Sequence, residues 1–280
     1  MRTLHRPETL DEVCALIAEL DDAQVYGGGT AIQILIKQGI LFTENLVDLG
    51  RVPGLVDVTI DDTGVGVGAM VPLRRMERDP QVRTTVPLAA ATYRHVANPR
   101  VRNTASVGGN LAHGDYRLDP PAALLVLDAA VTARSVRGSR EIPVREFFTG
   151  FQETALAPDE VLTGIRIPAQ PRGSAGRFVK QSSLGANDWP AASAAALLCP
   201  DGGRVQLHLG LCALATAPQY LALDVTGMDA QRAAAAAADA AEPIMEPIAD
   251  IRGGSDYKRR LGLVAVRDAV RGAWEELDRA

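Results

Sequence analysis

Val25-Tyr26-Gly27-Gly28-Gly29-Thr30-Ala31 decides the reading of this chain, together with a distant partner, Ser106-Val107-Gly108-Gly109-Asn110. In the first stretch a short apolar strand runs into three glycines. Thr30 stands where a helix N-cap is expected, Ala31 to Gln38 reads as helix, and Gly39 sits at its C-terminal stop. Ile32, Leu35 and Ile36 share one face of that helix. Consecutive glycines let backbone N–H groups turn toward one point, and a helix start adds its own N–H groups and positive dipole end. Together these form a site for a phosphate-like anion. The second stretch repeats the recipe, with Ser106 and Asn110 flanking Gly108-Gly109. One Gly-rich turn carries little weight, since most are only tight turns. Two of them, each beside a small hydroxyl residue, suit a diphosphate held from two sides.

Composition limits what such a site can serve. With 47% hydrophobic residues, 22% charged residues and a formal net charge of −5, the 280-residue chain has an ordinary globular profile. It offers no electrostatic reason for nucleic acid or an anionic membrane as partner. No apolar run approaches the roughly 18 residues that read as a membrane span, and the first residues lack a signal-peptide core, so a cytoplasmic location is expected. Cys14, Cys199 and Cys212 are far apart, form no C-x-x-C pair and lie in apolar patterns that suit buried thiols. His5, His95, His113 and His208 make no ligand pair either. No metal site is expected in this chain, and any redox chemistry must use a bound organic cofactor or another polypeptide.

Outward from the first loop, Thr9-Leu10-Asp11-Glu12 reads as a capping box opening a helix from Leu10 to Leu20. Gln24 to Tyr26, Asn45 to Leu49, Leu55 to Ile60 and Gly64 to Gly68 read as strands. Gly64-Val65-Gly66-Val67-Gly68 lacks the G-x-G-x-x-G spacing and the βαβ setting of a dinucleotide fold, so it is taken as strand. Pro72 to Arg78 and Thr85 to Ala97 are predicted helices. Asp119-Pro120-Pro121 opens another, from Ala122 to Ala129. Asp119 can cap that helix, offer an oxygen to a bound hydroxyl, or do both. Ala130 to Val136 and Glu141 to Val144 form a hairpin, and Val161 to Ile167 is a strand. Residues 169–176, rich in Pro, Gly and Ser, make the best linker. Beyond it, Arg177 to Ser182 and Val205 to Leu214 read as strands. Pro190 to Leu198, Asp229 to Ala241 and Asp256 to Leu277 read as helices, the last with Leu263, Val266, Val270, Ala273, Trp274 and Leu277 as its buried face.

In this order the motifs resemble a known family. Gly27 to Thr30 with its short helix, Thr104 to Asn110 and Asp119-x-Pro are similar to the FAD-binding (medium) subunits of molybdenum hydroxylases, such as those of carbon monoxide and xanthine dehydrogenases. The similarity continues through Asp159 to Pro168, Phe178 to Gln181, Asn187 to Pro190 and Ser255 to Leu261, nearly the whole chain. The resemblance implies an α+β fold: a two-subdomain, PCMH-type FAD-binding part over 1–170, then a smaller C-terminal α/β domain over 176–280. It implies FAD as cofactor, with Gly27, Gly28, Gly29, Thr30, Ala31, Ser106, Val107, Gly108, Gly109 and Asn110 forming the diphosphate-binding turns. Asp119 matches the acidic residue at the sugar-like part of the flavin, and Leu162 and Lys180 match positions lining the cofactor. Trp189 falls where relatives carry an aromatic near the isoalloxazine ring; packing at a domain seam explains it equally well. The sequence departs from the family at Gly27, Thr30 and Tyr116-Arg117-Leu118, where Ala, His and small residues with a Pro are usual.

The function implied is electron transfer. A small [2Fe–2S] subunit and a large molybdopterin subunit are the implied partners, in a dimer of heterotrimers, with FAD passing electrons to an external acceptor. A free-standing flavin-dependent oxidoreductase is the alternative, for which the sequence shows no candidate base: His113 near the second loop reads as a surface residue.

Overall fold

The computed structural model describes residues 2–279. Its first strand, β1 (Thr3–His5), leads into α1 (Leu10–Glu19), and the capping box closes in both directions. Thr9 Oγ1 accepts from the Glu12 amide at 3.2 Å, and Glu12 Oε2 accepts from the Thr9 amide at 3.3 Å, which satisfies N–H groups that a helix start leaves open. Val13, Cys14 and Ile17 bury the inner face. With β2 (Ala23–Tyr26), α2 (Ile32–Lys37) and β3 (Asn45–Asp48) this segment makes a parallel three-stranded sheet of order β1-β3-β2. Tyr26 ends β2, so the first glycine loop emerges at the carboxyl end of a parallel strand, where open α/β sheets place their ligands.

The second sheet is antiparallel. It has the order β4-β5-β10-β6-β7, built from β4 (Val58–Asp61), β5 (Gly64–Gly68), β6 (Ala130–Ser135), β7 (Gly138–Pro143) and the later β10 (Val161–Pro168). Between β5 and β6 the chain inserts α3 (Leu73–Arg78), α4 (Pro80–Thr85), α5 (Pro87–Tyr93), α6 (Pro99–Thr104), α7 (Val107–Ala112) and α8 (Pro120–Val126). After β7 come α9 (Val144–Phe147), the small ladder β8 (Phe148–Gly150) with β9 (Glu153–Thr154), and β10 (Val161–Pro168). The helix expected over Thr85 to Ala97 is shorter: Thr85 ends α4, Pro87 lacks an N–H and starts α5 instead of continuing it, and α5 stops at Tyr93. The strand expected from Leu55 begins only at Val58, while Leu55 packs with Val13 and Ile17.

The third sheet is an antiparallel meander of β11 (Ala175–Gln181), β12 (Ala192–Asp201), β13 (Arg204–Cys212) and β14 (Gln219–Asp224), followed by α10 (Ala230–Ala241) and α11 (Ser255–Leu277). Here a second expectation fails. Pro190 to Leu198, read as helix, instead leads into and forms the first seven residues of β12 (Ala192–Asp201). Alanine's helix preference is worth less than 1 kcal/mol per residue, and burial of both faces of a strand overrides it. Ala192, Ala194, Ala196 and Leu198 face α10 and α11, while Ala195 and Leu197 join the cluster that contains α8. α11 also turns slightly from its expected face: Gly262, Ala265, Val266, Ala269, Val270 and Ala273 are buried, with Leu263, Trp274 and Leu277 at the margins. Small residues let the helix lie close to its neighbours; a Cβ on Gly262 would sit 2.7 Å from Leu214 Cδ2. α8 approaches from the other side of the sheet, so closely that a Cβ on Gly210 would meet the Ala122 carbonyl at 2.1 Å. One apolar cluster therefore joins Val65, Leu124 and Ile167 to Phe178, Ala195, Leu197 and Cys212. None of the described helices is long and apolar enough to cross a membrane.

Candidate functional site

The two glycine stretches, distant in sequence, touch. A Cβ on Gly28 would lie 1.9 Å from the Thr104 carbonyl oxygen, and one on Gly27 would lie 2.9 Å from Ser106 Oγ. Gly29 takes φ +72°, a left-handed conformation that glycine adopts without penalty, and the Tyr26 phenol lies over it, held by a bond from Gln33 Nε2 at 3.1 Å. Thr30 is not the cap of α2. Position 31 precedes the helix with helical φ and ψ and makes no side-chain cap, and Gln33 N already donates to Gly29 O at 3.1 Å. The turn begins at Gly29, one step too early for the Thr30 hydroxyl to reach back. What the first loop offers is backbone: among the described residues, the N–H groups of residues 27–31 meet no protein acceptor.

The second stretch differs from the open turn expected of it. Ser106 caps α7, its Oγ accepting from Gly109 N at 3.2 Å. Val107 N donates to Val71 O at 2.9 Å, Gly108 N to Ala69 O at 2.8 Å and Asn110 N to Ser106 O at 2.9 Å. These amides are spent on the fold. Gly108 is there for packing, since its Cβ would stand 2.5 Å from that of Ala69. Gly109 is exposed and limited only by Ser106 Oγ. Asn110 keeps a buried Oδ1 that no protein donor meets. The two stretches thus divide the work: free amides come from the first, side-chain groups from the second.

Asp119 and Lys180 form a buried ion pair between the start of α8 and β11. Lys180 Nζ donates to Asp119 Oδ2 at 2.7 Å and to the His95 carbonyl at 3.0 Å, and both side chains are only 4% exposed. Asp119 precedes α8 but makes no side-chain cap, because its carboxylate turns toward Lys180 instead. Its Oδ1 is buried without a partner. Burial raises the Asp119 carboxyl to about 6, against the pull of the Lys180 ammonium. Beside Lys180 opens a groove of about 540 Å³ lined by His95, Lys180 and residues 181–186. Leu162 on β10 is a buried core residue, next to Thr163, whose carbonyl accepts from Ala69 N at 2.9 Å. It supports the platform on which Gly108 rests.

Trp189 lies at the end of the loop that leaves β11. Its ring centroid is 6.4 Å from that of His113, the C-terminal residue of the α7 segment, and 5.2 Å from the Arg117 guanidinium carbon. Arg117 is held by Asp115, whose carboxyl the Arg117 hydrogen bonds keep below its ordinary value although burial pushes it up. Several groups escape a reading of the sequence. Arg102 braces the approach to Ser106 through Glu77 (2.9 Å) and the carbonyls of Val96 (2.7 Å) and Ala97 (3.0 Å). Arg252 grips Asp188 at 2.9 and 2.7 Å. No local pattern announces such long-range pairs; only the run of polar residues flanking each loop could have drawn attention to them.

The residues present fit a flavin dinucleotide. The free amides of residues 27–31 suit a diphosphate, and the orphaned oxygens of Asn110 and Asp119 suit hydroxyl or N–H donors. Comparison with known proteins agrees. Residues 1–170 match the family described as the FAD binding domain in molybdopterin dehydrogenase. The chain is 31% identical to the carbon monoxide dehydrogenase medium chain of Hydrogenophaga pseudoflava over 96% of both proteins. It is 30% identical to the nicotine 6-hydroxylase medium subunit of Paenarthrobacter nicotinovorans over 94% of both. Among solved structures, carbon monoxide dehydrogenase of Oligotropha carboxidovorans superposes with a TM-score of 0.92 at 30% identity, covering 99% of this chain and 98% of that one. Quinoline 2-oxidoreductase of Pseudomonas putida 86 gives 0.90 at 28% identity, covering 98% and 97%. With likeness over its full length and a cradle of the right chemistry, the chain belongs to the FAD-binding subunits of the molybdenum hydroxylase family.

Proposed function

We propose that this chain holds FAD between its two glycine stretches and works as the electron-transfer subunit of a molybdenum-containing hydroxylase. The observation that carries the placement is the row of amides at residues 27–31, unpaired in the fold and set against Ser106. Gly27, Gly28, Gly29, Thr30 and Ala31 would bind the diphosphate through backbone N–H groups. Ser106, Gly109 and Asn110 would close the site from the other side, while Val107 and Gly108 hold that side in place through α7. Asp119 would accept a hydrogen bond from a flavin hydroxyl on its free Oδ1, with Lys180 keeping the carboxylate charged. Leu162 would support the cradle and Trp189 would lie near the ring system.

Bound FAD supplies the redox chemistry, accepting electrons and releasing them to an external acceptor; the chain contributes binding, orientation and electrostatics. A small [2Fe–2S] subunit would deliver the electrons and a large molybdopterin subunit would hydroxylate the substrate, as the subunit names of the relatives support. The assembly we infer is a dimer of heterotrimers in the cytoplasm, with 1–170 as the flavin-binding domain and 176–280 as the C-terminal domain. Purified alone, the chain should carry FAD with a flavin absorption spectrum and show no flavin reduction by hydroxylase substrates. Reduction should appear on adding the small and large subunits. Substrate-dependent flavin reduction by the isolated, metal-free chain would instead establish a free-standing flavin oxidoreductase.

A further inference from the structure

Trp189 is fixed by more than its own loop. Three segments far apart in sequence converge on it through alternating charges. Arg117 receives Asp115 along one edge: its main-chain N and Nε reach Asp115 Oδ1 at 2.8 and 2.9 Å, and Nη2 reaches Oδ2 at 2.6 Å. Arg117 Nη1 lies 3.7 Å from Asp250 Oδ2. Asp250 in turn takes the fully buried Lys258 ammonium at 2.7 Å, and Arg252 at 3.5 Å. Arg252 then grips Asp188, the residue before Trp189. The guanidinium carbon of Arg117 is 5.2 Å from the centroids of both the Trp189 and Tyr116 rings, within cation–π range.

The same loop returns to the strand that carries Lys180. Ala191 N donates to Gln181 O at 2.8 Å, so Trp189 lies just beyond the strand end that carries Lys180 and its partner Asp119. The cluster counts Asp115, Asp188 and Asp250 against Arg117, Arg252 and Lys258, a balanced set. Removing Arg117 leaves a net negative charge beside the indole. Reduction adds electrons to a flavin, so a nearby cation favours the reduced form and a nearby anion opposes it.

We propose that Arg117 is a positioning residue for the flavin: it fixes the Trp189 indole as a wall of the cofactor site and, through the charge it brings there, favours flavin reduction. This rests on the proposed placement of Trp189 near the ring system. Neither a bare structural brace nor a distant ion pair would link the sign of a charge change at this cluster to the flavin potential.

The test uses the full chain loaded with FAD and follows the flavin midpoint potential. FAD affinity, melting temperature and acrylamide quenching of Trp189 (in a Trp274→Phe background) are measured alongside. Arg117→Met should lower the potential by at least a tenfold change in the reduced-to-oxidised balance, about 30 mV for a two-electron couple. It should also open Trp189 to quenching in the flavin-free chain. Arg117→Lys should restore most of the potential and little of the protection, because an ammonium keeps the charge but not the planar stack or the forked pairing. Asp115→Asn should shift the potential upward, and it stands in if Arg117→Met fails to fold. An unchanged potential in Arg117→Met or Asp115→Asn overturns the inference, provided Trp189→Phe alters the visible circular dichroism of the flavin. If Trp189→Phe leaves that spectrum untouched, Trp189 is not at the flavin; the placement then fails and the inference with it.

Discussion

Asp119→Asn separates the roles that one carboxylate can hold. If Asp119 were a helix cap, Asn would replace it with little effect, since the two cap about equally well. The structure assigns the carboxylate to Lys180, with both side chains 4% exposed. Breaking a buried ion pair by stranding one charge costs about 3–5 kcal/mol, so Lys180→Met, which leaves the buried carboxylate without its cation, should lose about 3 kcal/mol. Asn at 119 instead keeps an oxygen for Lys180, removes the charge that burial opposes and should cost the flavin-free fold little. For a chain of this size each kcal/mol moves the midpoint by roughly 2–4 °C, so flavin-free Lys180→Met should melt about 6–12 °C lower. In Asp119→Asn the lost charge-assisted bond to the cofactor should weaken FAD by about ten- to a hundredfold, for roughly 1.5–3 kcal/mol. Calorimetry and flavin titration on Asp119→Asn, Lys180→Met and the double variant complete the comparison. The double variant should lose at least about 1 kcal/mol less than the sum of the singles, as coupled neighbours do. Additive losses, or an Asp119→Asn protein that binds FAD like the parent, would refute the assignment.

The glycines give a paired test: Gly28→Ala, whose Cβ would strike the Thr104 carbonyl, should separate the two stretches and lower both stability and FAD content. Gly109→Ala meets only Ser106 Oγ and should mainly weaken FAD, as read by melting and flavin titration. Acid should also weaken FAD. Folding raises the Asp119 carboxyl from its ordinary value to about 6, so this group's contribution to flavin-free stability is present below about pH 4 and lost as pH rises through 6. The cofactor prefers the ionised form, so FAD affinity should fall as pH drops below about 6, by up to about tenfold per unit, with a flatter profile in Asp119→Asn.

Local devices were the most legible part of this chain. The Thr9/Glu12 box, the β6–β7 hairpin and α10 all follow from side chains and turns a few residues apart. The glycine stretches were legible as special backbone. Their sharing of labour was not, because which amides are already bonded depends on Val71 and Ala69, far from Ser106 in sequence. β12 misled for a related reason: alanine reports helix preference locally, whereas its environment is set by α8, α10 and α11 packing on a strand. Thr30 misled by a single step of register, fixed by the left-handed Gly29. Asp119 and Lys180 could each be named from the family pattern, but their pairing, and the burial that raises the carboxyl, had no signature in the sequence.

The packing of α8 against the third sheet has a consequence for how this protein can be divided. A polypeptide ended at residue 170 would keep every glycine of both stretches and the whole family match. It would also lose Lys180, leaving Asp119 in the interior without its counter-ion, and lose the strand whose Gly210 admits the Ala122 backbone. Phe178, Ala195, Leu197 and Cys212 would go as well, baring one side of the shared core to water. The residues that match the family and the packing that covers their core are written in different halves of the sequence, and a flavin-binding module cut out by its sequence match alone would arrive with an open core and a stranded carboxylate.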